Sequence, residues 1–116
     1  MELINLTPHD VNLIGHDDKR YLSIPPTFPP ARCVEKFHEG SVISYETYSG
    51  GVINIPVGTI SYSDVYNLPE EVHDRKYIVS VLVAQQFPYR MDLLVPHDLV
   101  RKNGHIVGCR RLVRII

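Results

Sequence analysis

The stretch Leu99-Val100-Arg101-Lys102-Asn103-Gly104-His105-Ile106-Val107 decides the fold. Asn-Gly lies between two apolar runs, and both central residues of a type I′ turn need positive φ, which these two residue types adopt most readily. The stretch therefore predicts two strands joined by a two-residue hairpin loop. Just upstream, residues 92–95 have strand character. Before them, Tyr77-Ile78-Val79 reads as a buried strand that gives way to a short helix. Ser80 is a helix cap, Val79, Leu82, Val83 and Phe87 fall on one helical face, and Pro88 forces a stop.

Toward the N-terminus the same punctuation recurs. Short runs rich in Val, Ile and Tyr, separated by Gly, Pro, Asn and Asp, predict strands at residues 2–6, 11–14, 21–24, 32–37, 42–48, 52–56 and 59–62. Ser49-Gly50-Gly51 supplies the positive φ angles of a second hairpin. Residues 63–76 are polar, contain Pro69, and read as a surface loop or broken helical turn. Ile24-Pro25-Pro26-Thr27-Phe28-Pro29-Pro30 cannot donate ladder hydrogen bonds at its four prolines and reads as an extended connection. It suits a stiff internal loop or a docking motif for a proline-reading domain. The expected fold class is α+β, a mainly antiparallel β-sheet with one or two short helices, in a single domain over residues 1–116.

Composition bounds the function. The chain has 116 residues, 44% hydrophobic and 22% charged, which is ordinary for a globular domain with one core. No run approaches the roughly 18 to 20 apolar residues of a membrane-spanning helix, and the first residues lack a signal-peptide pattern, so the expected location is cytoplasmic. Cys33 and Cys109 are the only cysteines and form no Cys-x-x-Cys pair. They read as reduced structural thiols or as one disulfide, and no zinc knuckle is expected.

The net charge of −1 averages two opposites. Residues 1–100 hold thirteen acidic side chains against seven Lys and Arg, net −6, whereas residues 101–116 hold Arg101, Lys102, Arg110, Arg111 and Arg114, net +5. A local cluster of this kind suits a few phosphates and does not suit coating a polyanion. Guanidinium forks match phosphate oxygens, so Arg101, Arg110 and Arg111 on a rigid hairpin are candidate ligand-binding residues. Phe87, Tyr89 and Arg90 offer flat faces on which a base could stack. The same arginines also suit pairing with the acidic part of this chain or of a second subunit.

Other chemistry has weaker support. Four histidines precede aspartate: His9-Asp10, His16-Asp17, His73-Asp74 and His97-Asp98. These types could serve a metal-dependent phosphodiesterase. Adjacent strand residues point to opposite faces, however, and turn chemistry is the simpler account. The chain has no Gly-x-Ser-x-Gly elbow and no phosphate-cradling Gly-rich loop.

Several motifs extend over almost the whole chain: Asn5-Leu6-Thr7-Pro8-His9, Tyr77-Ile78-Val79-Ser80-x-Leu82-Val83-Ala84, Pro88-x-Arg90-x-Asp92-Leu93-Leu94-Val95-Pro96, Val100-Arg101 and Gly104-x-Ile106-x-Gly108-Cys109-Arg110. This framework resembles small proteins of phages and prophages, and within them the phage anti-Thoeris sponge family. Those proteins hold cyclic ADP-ribose isomers without cleaving them, and some also bind cyclic oligonucleotides. The resemblance implies a non-enzymatic homo-oligomer that sequesters a cyclic nucleotide immune signal in the host cell cytoplasm. It implies nucleotide ligands gripped by arginine and aromatic side chains, and Arg110 is the residue it carries over best; from composition and motifs no cofactor, metal or membrane is expected, and a nucleic-acid partner is disfavoured. Ile24 to Pro30 is richer in proline than the group's pattern. A phosphodiesterase of such signals and a phage structural or assembly protein are the alternatives.

Overall fold

Short strands with one apolar face need neighbours to cover it, and six of the eight strands meet that need in one sheet. The computed structural model describes residues 1–116. Its elements are β1 (Glu2–Asn5), β2 (Val11–Ile14), β3 (Arg20–Ile24), β4 (Arg32–Glu46), β5 (Val52–Tyr66), β6 (Arg75–Ile78), α1 (Val81–Gln85), β7 (Leu93–Lys102) and β8 (His105–Val113). The protein is mostly β with one short helix, consistent with the α+β class. No helix is long and apolar enough to cross a membrane.

The chain divides into two compact units where length alone predicts a single domain over residues 1–116: Met1–Cys33 with Val65–Ile116, and Val34–Asp64. The first holds the six-stranded sheet, in the order β1-β6-β7-β8-β2-β3. The pairs β7–β8 and β2–β3 are antiparallel; β1–β6, β6–β7 and β2–β8 are parallel. Parallel neighbours need a long crossover. Residues 79–92, which include α1, supply the one between β6 and β7.

Tyr77, Ile78, Val79 and Val83 are almost wholly buried. Each contributes roughly 1.5 to 3 kcal/mol of hydrophobic stabilisation. Ser80 caps α1 as expected, its hydroxyl accepting from Val83 N–H at 3.3 Å. The expected apolar face needs correction, because Leu82 and Phe87 are exposed and Val83 with Ala84 turns inward. Val79 is buried ahead of the helix, so a periodicity that starts from it is offset.

Asn5 organises the start of the chain. It is fully buried, and its amide donates to the carbonyls of His9 (2.7 Å) and Ile24 (2.9 Å). Its Oδ1 accepts from Thr7 N–H (2.9 Å) and the Thr7 hydroxyl (2.6 Å). The proline-rich loop is tied in beside it, with Thr27 N–H donating to Asn5 O and Ala31 N–H to Leu6 O. These bonds make that loop an internal connection.

The second unit is a two-stranded ribbon of β4 and β5. Two expected pairs of short strands, 32–37 with 42–48 and 52–56 with 59–62, are each one 15-residue strand. The expected gaps fall at residues 38–41 and 57–58, around Gly40 and Gly58. Here Gly40 instead permits close approach: a Cβ would lie 2.4 Å from Val57 O. The expected loop at 63–76 is likewise shorter, since β5 continues to Tyr66 and β6 begins at Arg75.

Candidate anion-binding site

The β7–β8 hairpin turns at Asn103 (φ 53°) and Gly104 (φ 80°), the conformation that the Asn-Gly pair predicts. Lys102 faces His105, Arg101 faces Ile106, and Leu99 faces Cys109, with an irregularity between Val100 and Arg101. On its other side β8 runs parallel to β2, with Leu13 opposite Cys109. Gly108 allows this approach: a Cβ there would lie 2.6 Å from Asn12 O and 2.8 Å from Ile14 Cγ1.

That approach brings Arg110 to the β2–β3 turn. Its Nη1 donates to Gly15 O at 2.6 Å and its Nη2 to Asp18 Oδ1 at 2.5 Å. Asp18 has φ 60°, and the turn is closed by Gly15 N–H donating to Lys19 O. The hydrogen bond from Arg110, reinforced by its charge, holds the Asp18 carboxyl below the usual range. Asp18 in turn raises the guanidinium above its ordinary value.

Arg110, Arg101, Lys102 and Asp18 line a cavity of ≈ 280 Å³ with Ile14, Val100 and Val107. Three cations thus face one carboxylate. Arg101 has no carboxylate within ion-pair distance, so its fork is available to an anion. A larger cavity of ≈ 480 Å³ is lined by Val11, Val79, Val95, Leu99 and Cys109 together with His9 and Asp10. It contains no Lys or Arg and therefore offers no counter-charge to a phosphate.

The candidate residues do not all converge. Arg101 and Arg110 share the small cavity. Arg111 is the next residue along β8, points to the opposite face, and lies 3.6 Å from Asp98 with its side chain largely exposed. Phe87 and Arg90 precede β7, whereas Arg101 is near its far end, roughly 30 Å away at ~3.3 Å per residue. Arg90 is engaged there in a two-pronged contact with the buried Asp92, at 2.9 and 2.6 Å. The pair anchors the start of β7, where Asp92 O also accepts from Tyr77 N–H. Phe87 and Arg90 are thus not part of the arginine cavity. Lys102 and Asp18 are the members that sequence reasoning missed. Lys102 adjoins Asn-Gly and could have been found; Asp18 comes from a distant turn.

The His-Asp pairs lie apart, and no group of three or more His, Cys, Asp or Glu side chains is placed to hold a metal ion. Two serve turns: Asp74 adopts positive φ in the turn before β6, and Asp17 accepts from Lys19 N–H; Asp98 also has positive φ but lies within β7. Cys33 packs against one core cluster and Cys109 lies in the other, where burial pushes its thiol above the ordinary value. No family model, curated protein or solved structure matches the chain.

Proposed function

We propose that this protein binds a small phosphate-bearing ligand of the cyclic-nucleotide class and holds it without cleavage. The supporting observation is the cavity in which Arg101, Lys102 and Arg110 converge around one carboxylate. Arg110 is already held by Gly15 O and Asp18, so little ordering of that side chain opposes binding. In this reading Arg101 grips a phosphate directly, Lys102 adds charge, and Arg110 is shared between the ligand and Asp18. The protein acts as a homo-oligomeric sponge in the host cell cytoplasm, removing an immune signal by stoichiometric binding.

Calorimetry across a panel of cyclic ADP-ribose isomers and cyclic oligonucleotides tests this. Arg101→Ala should weaken binding tenfold or more, because a charge-assisted contact is worth about 1.5 to 3 kcal/mol. Asp18→Asn should strengthen it by releasing Arg110. Denaturing the complex should return ligand of unchanged mass. Absence of binding across the panel, or recovery of a hydrolysed product, overturns the proposal.

A further inference from the structure

The ribbon of β4 and β5 holds apolar surface that the arginine cavity does not explain. Ser44 Oγ donates to Asn54 Oδ1 across the ribbon at 3.1 Å, which puts both side chains on one face. Strand alternation sends Ile43, Tyr45, Ile53 and Ile55 to the other face, and Val57 continues the row. All five are between 40% and 56% exposed. Over residues 41–57 this face carries no charged side chain.

Together the five expose on the order of 500 Å² of largely apolar surface, at the upper end of what a monomer leaves open in one patch. A stable interface takes about 800 Å² from each partner, of which roughly 57%, or about 450 Å², is non-polar. The face is therefore the size of one half of such an interface.

We infer that a second copy of this chain covers it, ribbon against ribbon about a two-fold axis. A lone two-stranded ribbon is marginal in water, so it needs a cover that is present whenever the chain is made. A two-fold contact needs only one self-complementary patch, and an uncharged apolar face meets an identical face without repulsion. The association does not depend on the ligand reading, since the ribbon carries none of the residues lining the arginine cavity.

Sedimentation of the full-length protein over a range of micromolar concentrations tests this. The native chain should sediment as a multiple of 13.3 kDa, and the double variant Ile43→Glu, Ile55→Glu at 13.3 kDa. Val42→Lys, on the Ser44 face, should remain assembled. A native chain that stays at 13.3 kDa throughout overturns the inference and assigns the face to a different protein. A double variant that stays assembled overturns it as well. Should that variant precipitate, hydrogen exchange of the native chain decides: amides in residues 41–57 should lose protection at least tenfold on dilution, and concentration-independent exchange overturns the inference.

Discussion

In the β7–β8 hairpin, β7 has β6 and β8 has β2 on its outer side, and Leu93, Val95 and Cys109 are buried. In the β4–β5 hairpin neither strand has a second neighbour, and nearly every residue beyond Val34 on β4 is exposed. Both begin from a glycine-containing turn between apolar runs. Turn chemistry decides where a chain reverses and leaves open what covers the strands afterwards. For β7–β8 the cover comes from the same chain. For β4–β5 it does not, and that is why the ribbon carries the inference of a partner and the sheet carries the cavity.

The sharpest way to separate the two regions is to damage one alone. Asn5→Ala removes four hydrogen bonds and leaves the partly buried Ile24 carbonyl and Thr7 N–H without the partner they have in the native chain. An unsatisfied buried group costs about 1 to 3 kcal/mol, so denaturant unfolding should show a loss of roughly 3 to 5 kcal/mol. Assembly through the ribbon should persist at temperatures where the variant stays folded. A loss below about 1 kcal/mol would mean that water replaces the amide.

A second contrast is between glycines. Gly108→Ala places Cβ against Asn12 O and Ile14, and β8 must shift from β2, a cost of about 1 to 3 kcal/mol in the melting of the sheet. Gly40→Ala makes a closer approach still, 2.4 Å from Val57 O. It should nonetheless leave that melting unchanged, because residues 34–64 supply no member of either buried core cluster. Equal loss in the two variants would show that the units unfold as one.

Local signals were legible. Asn103-Gly104, Ser49-Gly50-Gly51, the Ser80 cap and the 11–14 strand all follow from residue chemistry that acts over a few positions. Long-range pairing was not. Nothing in residues 11–14 announces a parallel partner at Cys109, and nothing near Arg110 announces Asp18. The candidate site was half legible: Arg101 and Arg110 share a cavity because a readable hairpin pairs their strands, whereas the capture of Arg90 by Asp92, two residues away, is a local signal that the stacking reading passed over. Glycine misled in the ribbon, where Gly40 and Gly58 read as breaks and are instead continuous strand.

The smallest expected effect belongs to Asp18. Its folded carboxyl titrates below the usual value because Arg110 bonds to the ionised form, so the contact is intact above the unfolded-state value of about 3.9 and is lost as pH falls through the lower, folded one. The contact is exposed, so the change in stability should be slight. Its signature is elsewhere. The amide resonances of Gly15 and Lys19 should shift with a midpoint below 3.9, and Arg110→Ala should return that midpoint to the ordinary range. Protonating Asp18 releases the same guanidinium that Asp18→Asn releases. A phosphodiester stays ionised under those conditions, so ligand affinity should rise as pH drops through the Asp18 midpoint, and the rise should vanish in Asp18→Asn. An affinity that instead falls across that midpoint in both proteins would show that Arg110 serves the turn and not the ligand.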